Sequence, residues 1–221
     1  MSEENKKTLK VYKERAGIYL RNNIIYEIAN AEEYELRRKF IENLIRKDFE
    51  NISINGNVFE VGSGDGKNAN YIKSLGYNIT ASDTVDIFIN NLIELGLKTI
   101  KFNLLEDEFP NKYDAILCWR VFIHFTFEDL ATALYKIYNS LENNGMLLFN
   151  LFNINNSNIN GKWIDFDGIH NIGSERYYSY FSKEEIDELI KKIGYKLFDF
   201  CYECPNEKYL VYSLIKKINI I

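Results

Sequence analysis

The stretch from Val58 to Lys67, VFEVGSGDGK, places three glycines at alternate positions directly after a short apolar run. Followed by KNANYIKSLG, it predicts a buried strand, a tight loop and a helix. Gly62, Gly64 and Gly66 have no Cβ, so the chain can turn sharply and a ligand can lie against the main chain. A merely tight turn would use the same glycines. Because open α/β sheets bind ligands above the carboxyl ends of their strands, we predict a ligand site at this loop.

The alternation of strand and helix patterns continues beyond the loop. Four further apolar runs, YNITASD, LKTIKFN, YDAILCW and MLLFNLF, alternate with helical patterns, and the last of those helices, FEDLATALYKIYNSLENNG, extends to Gly145. Such alternation is typical of βαβ units around a parallel sheet. Two final strands, YKLFDFCYE and EKYLVYSLIKK, flank the turn residues Pro205 and Asn206 and should pair as an antiparallel hairpin. The predicted fold is α/β, a doubly wound, mostly parallel, seven-stranded sheet with N-terminal helices.

Two helix starts carry the sequence pattern of a capping box, in which a side chain caps the helix and an acid three residues later reaches back. One is Asn30 with Glu33, at the start of a helix from about Ala31 to Lys47. The other is Ser182 with Glu185, before a helix that ends at Gly194. The predicted buried face of the earlier helix carries Leu36, Phe40 and Leu44.

Composition limits the class of protein. With 221 residues, 46% hydrophobic and 27% charged, the chain should form one globular domain. The net charge of −5 argues against a nucleic-acid partner, and the lack of a long apolar run predicts a cytoplasmic protein without a membrane partner. Cys201 and Cys204 have the spacing of half a zinc site or of a redox pair, but further ligands are scattered and the segment reads as a strand. No metal site is predicted.

Acidic residues around the loop indicate the kind of ligand. Asp83 closes the second predicted strand, where a carboxylate can accept hydrogen bonds from ribose hydroxyls or can cap the next helix. A dinucleotide fingerprint would be G-x-G-x-x-G, which seats a pyrophosphate, whereas here the glycines alternate as G-x-G-x-G. Glu60 and Asp65 suit a cationic ligand better than a pyrophosphate. A nicotinamide oxidoreductase is therefore a weaker interpretation of this loop than a protein that binds a cationic ligand.

The order EVGSGDG, ASD, KFNLLED, YDAILCWRVFIHF and LYKIYNSLENNGMLLFNLF resembles the class I S-adenosylmethionine-dependent methyltransferases. The resemblance covers most of Asn57 to Ile215, and YFSKEEIDELIKKIGYKLFDF looks like the closing helix and strand of their small-molecule branch. It implies a seven-stranded sheet with an antiparallel last hairpin, S-adenosylmethionine as cofactor and S-adenosylhomocysteine as product. The implied layout of the single domain is an N-terminal helical lid (1–50), a cofactor-binding core (57–152), a substrate-side insert (153–181) and a closing helix and hairpin (182–221).

The resemblance also implies which residues hold the cofactor. In the core these are Glu60, Gly62, Ser63, Gly64, Gly66, Asp83, Thr84, Asn103, Leu104, Cys118 and Trp119. The N-terminal VYKERAGIYL looks like the tyrosine-bearing lid helix of small-substrate members, which implies that Tyr12, Arg15 and Tyr19 close over the cofactor. An amphipathic helix that packs its aromatics on the sheet edge would show the same pattern.

Candidate catalytic and substrate residues follow the fourth strand and lie in the insert. His124 is a candidate general base, since imidazole has a suitable pKa, although a structural histidine is also compatible with its position. Arg120 and Tyr178 are the other predicted catalytic residues. The insert supplies Asp165, Asp167, His170, Arg176 and Tyr177 as further candidates, of which all but Asp167 are predicted substrate contacts. The arginines would suit an anionic substrate.

We therefore predict a methyltransferase that acts on an oxygen or nitrogen of a small metabolite, such as a sugar or another biosynthetic intermediate. The fourth strand is followed by CWRV rather than by the Asn/Asp-Pro-Pro-Tyr/Phe motif of enzymes that methylate exocyclic base amines. No paired-glutamate loop typical of protein arginine methyltransferases is present there either. A catalytically silent, cofactor-binding regulatory protein remains an open alternative.

Overall fold

The structure is a computed structural model that describes residues 1–156, 160–165, 171–203 and 208–217. Several sequence predictions concern positions outside these residues, namely Asp167, His170, Cys204, Pro205 and Asn206. Within the described residues, no helix is both long enough and apolar enough to cross a membrane.

The elements in chain order are α1 (Glu3–Ala29), α2 (Ala31–Asp48), β1 (Asn57–Glu60), α3 (Lys67–Ser74), β2 (Asn78–Asp83), α4 (Asp86–Glu94), β3 (Thr99–Lys101) and β4 (Tyr113–Cys118). They continue with α5 (Phe127–Ser140), β5 (Leu141–Asn153), β6 (Gly161–Ile164), β7 (Arg176–Phe181), α6 (Lys183–Ile193), β8 (Tyr195–Tyr202) and β9 (Tyr209–Lys216). A short 3-10 turn, Phe122–His124, follows β4.

The strands form one mixed sheet with the order β3-β2-β1-β4-β5-β7-β6, while β9 lies beside β5 and β8 beside β9. The strands β1 to β5 pair in parallel. The hairpin of β8 and β9 is antiparallel, and β9 runs antiparallel to β5. The predicted doubly wound, mostly parallel sheet with N-terminal helices and an antiparallel C-terminal hairpin is confirmed.

The sheet contains nine described strands, so the predicted count of seven is wrong. The two additional strands, β6 and β7, lie in the insert and pair with each other antiparallel. The end of β7 also pairs in parallel with Phe152 and Asn153 at the carboxyl end of β5. These strands are short and carry no period of their own, because their conformation depends on partners distant in sequence.

The predicted extension of α5 to Gly145 is also wrong. The helix ends at Ser140, and the segment from Leu141 to Gly145 belongs to β5, where Leu141 pairs with Tyr113. Asn144 has a φ of 61°, in the left-handed region that a helix interior does not use. The helix therefore ends where Leu141 becomes extended and pairs with β4, although the apolar spacing of the helix continues up to that residue.

At the start of α2, the predicted capping box of Asn30 and Glu33 does not form. Asn30 makes no side-chain cap, and its amide instead donates to the Tyr26 carbonyl at 3.3 Å, at the end of α1. Leu36, predicted on the buried face, is 70% exposed, whereas Leu44 is buried as predicted, together with Ile41 and Ile45. The buried stripe of α2 therefore includes one end of the predicted face and leaves the other in solvent. The box of Ser182 and Glu185 at α6 is confirmed.

Helices cover both faces of the sheet. On one face, α5 and α6 bury residues such as Leu134 and Ile186 against the strands. On the other face, α2 and α3 do so with residues such as Ile45 and Ile72. The long α1 lies at the carboxyl edge, where its Ala16 packs with Val85 of the β2–α4 connection and with Phe88 of α4. This arrangement places α1 over the loops that follow the parallel strands.

Candidate active site

The three glycines of the loop after β1 all adopt left-handed backbone angles, with φ of 66° at Gly62, 52° at Gly64 and 80° at Gly66. A Cβ at Gly62 would lie 2.7 Å from a methyl group of Val121, and one at Gly66 would lie 2.8 Å from a methyl group of Leu95. A Cβ at Gly64 would have no other atom within 4 Å. The outer two glycines therefore allow close packing, whereas Gly64 presents bare main chain to open space.

That open space is a cavity above the carboxyl ends of β1 to β4, closed on one side by α1. The predicted site residues that line it are Tyr12, Tyr19, Gly62, Gly64, Asp83, Thr84, Asn103, Leu104, Trp119, Arg120 and His124. The predicted residues Arg15, Glu60, Ser63, Gly66 and Cys118 do not line it. Arg15 lies on the exposed side of α1.

Asp83 joins the glycine loop to the start of α4. One carboxylate oxygen accepts the Gly64 N–H at 3.1 Å, and the other accepts the Val85 N–H at 3.0 Å. Burial raises the pKa of Asp83 to about 6, against the effect of these backbone hydrogen bonds. A carboxylate has about four lone-pair positions, so Asp83 can still accept hydrogen bonds from a ligand in the cavity.

The far end of the cavity, after β3, is mainly apolar. Phe102 and Leu104 are both buried there. Between them, the Asn103 side chain is held by its own turn, since its oxygen accepts the Leu105 N–H at 3.1 Å and its amide donates to Glu106 at 3.0 Å. This end offers apolar contact to a flat ring rather than a set of charges.

Behind the glycine loop lies a buried acid. Glu60 is 2% exposed, and its Oε2 is buried without a hydrogen-bond partner among the described residues. Burial raises the pKa of Glu60 to about 7. Burial and the nearby Glu60 also raise the pKa of the Cys118 thiol. Ser63 ties the loop to β2, because its hydroxyl accepts the Ser82 N–H at 3.1 Å.

A chain of hydrogen bonds links α1, His124 and β7. A backbone carbonyl only accepts, so the 2.7 Å contact to the Tyr177 oxygen assigns the proton to Nδ1 of His124. Its Nε2 therefore accepts from the Tyr12 hydroxyl at 3.0 Å, and that hydroxyl accepts from Arg176 at 3.3 Å. Burial and the Arg176 charge lower the pKa of His124 to about 3. His124 is thus neutral near pH 7, with both ring nitrogens engaged.

A second cavity adjoins the first and shares Tyr12, Tyr19 and Arg120 with it. Its other lining residues are Asn22, Asn23, Arg37, Ile123, Phe152, Ile172, Arg176, Tyr178, Lys208 and Tyr209. The predicted residues Arg176 and Tyr178 are therefore here. Asp165 lies outside the wall, 4.0 Å from Arg176, and Tyr177 contributes its carbonyl to His124.

Some lining residues were not predicted from the sequence. Asn5 and Thr8 line the first cavity, and the Thr8 hydroxyl accepts the Tyr177 N–H at 3.0 Å. Both continue the spacing of Tyr12 by steps of three or four residues, so an extended helical stripe could have identified them. Arg37 and Lys208 carry no such signal, because only the fold brings α2 and the start of β9 to one cavity.

Known proteins resemble this chain both in sequence family and in fold. A family model described as a methyltransferase domain matches residues 31–199. No curated protein matches the chain. Among solved structures, the chain is similar to an S-adenosylmethionine-dependent methyltransferase from Clostridium acetobutylicum ATCC 824, with 15% identity and a TM-score of 0.68, over 90% of this chain and 99% of the other.

Two further solved structures share the fold. Magnesium protoporphyrin IX methyltransferase from Synechocystis PCC 6803, with bound S-adenosylmethionine, has 10% identity and a TM-score of 0.74, over 98% of this chain and 99% of the other. A glycopeptide N-methyltransferase complexed with sinefungin has 9% identity and a TM-score of 0.62, over 80% of this chain and 87% of the other. At such identities, these likenesses show the fold.

Proposed function

Since the chain belongs to the methyltransferase-domain family, we propose that it transfers a methyl group from S-adenosylmethionine to an oxygen or nitrogen of a small metabolite. The observation that carries this proposal is the bare main chain of Gly64, which faces a cavity at the carboxyl edge beside the Asp83 carboxylate. The solved neighbour with bound S-adenosylmethionine supports the choice of cofactor.

The residues of the first cavity fit this cofactor. Gly64 leaves room for a ligand against its main chain, and Asp83 can accept hydrogen bonds from ribose hydroxyls. Phe102 and Leu104 provide the apolar surface that an adenine ring requires. Because these groups sit on the loops after adjacent parallel strands, they are held in place before any ligand binds.

When bound, S-adenosylmethionine supplies a methyl group on a cationic sulfur, so an acceptor lone pair forms the new bond to carbon while the carbon–sulfur bond breaks and its electrons stay on sulfur. The residues of the chain therefore serve chiefly to align the acceptor and to exclude water. Tyr12 and Tyr19 line both cavities and lie where an acceptor would meet the cofactor.

The hydrogen bonds of His124 limit the ways in which a proton can leave the acceptor. Both ring nitrogens of His124 are engaged, and its pKa is lowered to about 3, so His124 acts as a positioning residue for Tyr12 rather than as a base. A neutral amine needs no base before transfer and releases its proton to solvent afterwards. A hydroxyl acceptor would require another proton acceptor in the second cavity.

The proposal is tested by incubating the protein with S-adenosylmethionine and pools of small metabolites, and by measuring S-adenosylhomocysteine with mass spectrometry. We expect S-adenosylhomocysteine to accumulate only when a pool contains an acceptor, with a matching mass change in that acceptor from the replacement of one hydrogen by a methyl group. A protein that binds the cofactor but forms no product with any pool would instead fit the catalytically silent alternative.

A further inference from the structure

The second cavity is lined by four basic side chains. Its basic lining side chains are Arg37, Arg120, Arg176 and Lys208, and none of its described lining residues is acidic. Among the residues that the structure describes, carboxylates outside the wall contact three of these cations, with Glu33 at 2.6 Å from Arg37, Glu203 at 2.6 Å from Arg120 and Asp165 at 4.0 Å from Arg176. The described lining residues therefore present basic groups and no carboxylate to a ligand, while the three arginines are each paired with an acid outside the lining.

The positive charges of Arg120 and Arg37 act on the ammonium group of Lys208. Burial lowers the pKa of Lys208, and the charges of Arg120 and Arg37 lower it further, in opposition to Glu203. These three groups come from separate segments of the chain, so the fold itself concentrates like charges at one place. An anion bound among them would relieve this repulsion.

Arg120 is held rigidly at this place. Its backbone has a φ of 63°, and its N–H donates to the Asn150 side-chain oxygen at 2.8 Å. The guanidinium carbon lies 3.7 Å from the ring centroid of Tyr209, and one amino group donates to Glu203 at 2.6 Å. Arg120 lines both cavities, so an anion beside it would lie next to the first cavity. A fixed guanidinium binds an oxyanion at little entropic cost.

The rest of the wall is aromatic. The rings of Phe152 and Tyr209 stack with centroids 4.6 Å apart, and Tyr12, Tyr19 and Tyr178 face the same cavity. Rigid rings of this kind offer apolar contact to the body of a ligand. The cavity thus combines an apolar wall with a cationic end.

On the premise that the chain is a methyltransferase, we propose that its methyl acceptor is an anionic small molecule whose carboxylate or phosphate is bound by Arg37, Arg120 and Lys208. The body of the acceptor lies along the tyrosine rings, toward the first cavity. Glu203 contacts Arg120 from behind and keeps its guanidinium oriented while the acceptor binds.

The experiment is a calorimetric titration of the protein saturated with S-adenosylhomocysteine. The probes are phenyl phosphate, benzoate and the neutral benzyl alcohol, at low salt and again at raised salt. We expect at least one anion to bind measurably more tightly than the alcohol, with an affinity that falls as salt rises. The affinities of phenyl phosphate and benzoate show whether the cavity prefers a phosphate or a carboxylate.

A double variant, Arg37→Gln with Lys208→Gln, should weaken anion binding by about tenfold or more, because two charge-assisted contacts are lost. The matched control is Lys39→Gln with Lys10→Gln, which also removes two positive charges but from exposed positions on α2 and α1 outside the cavity, and which should leave anion affinity unchanged. Thermal unfolding and S-adenosylhomocysteine affinity of each variant check that the fold is intact.

The two proposals fail separately in this design. S-adenosylhomocysteine binding is measured first, and its absence counts against the proposed function. If S-adenosylhomocysteine binds but the anions bind no better than benzyl alcohol, or bind equally to the double variant, the anionic acceptor is refuted and the proposed function stands.

Discussion

At the scale of single residues, the three glycines of the loop after β1 have different reasons to be glycine. Gly62 and Gly66 leave no room for a Cβ against Val121 and Leu95, whereas Gly64 faces open space. All three also need left-handed backbone angles, which cost other residues about 1–2 kcal/mol. Of the three, Gly62 and Gly64 line the cavity, and Gly64 is the one at which an added Cβ would have no neighbouring protein atom within 4 Å.

Gly64→Val should fold but bind S-adenosylhomocysteine at least about tenfold more weakly, because its side chain would enter the cavity. The matched control is Gly96→Val, since Gly96 also has a positive φ, 68°, and open space around a Cβ, but does not line the cavity. Both variants should lose similar unfolding free energy in urea. Equal cofactor affinity in the two variants, measured by calorimetry, would contradict the assignment of the loop.

Glu60 should make stability depend on pH. Its folded-state pKa of about 7 lies above the usual 4.5, so the folded chain holds the proton more tightly and stability falls as pH rises through this window. Glu60→Gln mimics the protonated form. We expect it to match the unaltered chain near about pH 4, below the unfolded pKa, and to exceed its unfolding free energy by up to roughly 3 kcal/mol near about pH 8.

The measurement is the difference between the two proteins in urea unfolding across this range, without ligand. The difference is needed because His124 acts in the opposite sense: its pKa is lowered from 6.5 to about 3, so its contribution to stability is lost as pH falls below 6.5. The two effects oppose each other in the total stability curve. A difference between Glu60→Gln and the unaltered chain that does not vary with pH would show that Glu60 is not buried as described.

At the scale of elements, similar sequence patterns at two helix starts have different outcomes. At α6, the Ser182 hydroxyl accepts the Glu185 N–H at 3.2 Å, and the Glu185 carboxylate accepts the Ser182 N–H at 2.9 Å. At α2, Asn30 forms no such cap, because α1 ends only one residue earlier and the Tyr26 carbonyl of α1 accepts the Asn30 side-chain amide. The preceding element, rather than the pattern, decides whether the cap forms.

Ser182→Ala should therefore lower the unfolding free energy by about 1 kcal/mol, the usual value of an N-cap. Asn30→Ala is the matched control and should cost less than about half of that. Chemical unfolding with equal denaturant slopes provides the comparison. Equal losses at the two positions would be inconsistent with the caps seen in the structure.

The attachment of α1 to β7 depends on the hydrogen bonds of Tyr12. Tyr12→Phe removes the donor to Nε2 of His124 and leaves that buried nitrogen without its partner, so we expect a loss of roughly 1–3 kcal/mol in unfolding free energy. Tyr135→Phe, at an exposed position on α5, should change it by less than about 0.5 kcal/mol. If urea unfolding gave the same stability for both variants, Tyr12 would contribute nothing to holding α1.

At the scale of the whole molecule, the sequence was sufficient for the parts of the fold that carry local periodicity. The strand and helix patterns from β1 to β4, the hairpin of β8 and β9, and the methyltransferase-domain family are confirmed. The strands β6 and β7 were not predicted, because the bonds that define them run to each other and to the end of β5. Long-range pairing of this kind leaves no period in a single segment.

The residues of the candidate active site likewise divide into those that the sequence could place and those that depend on long-range packing. Gly64 and Asp83 could be placed at the cavity because Gly64 follows β1 and Asp83 ends β2, two strands whose positions in a parallel sheet are predictable. Glu60 is one residue before the loop turns, and whether its side chain reaches the cavity or the core could not be decided from the sequence. The convergence of Arg37, Arg120 and Lys208 on one cavity likewise depends on how α1 and α2 pack against the sheet edge.

The most direct test of the central claim is isothermal titration of the unaltered protein with S-adenosylhomocysteine, with NAD in a parallel cell. The cavity beside Gly64 and Asp83 predicts binding of S-adenosylhomocysteine in the micromolar range and no heat from NAD. Binding of NAD alone, or of neither ligand, would contradict the claim that this cavity is an S-adenosylmethionine site.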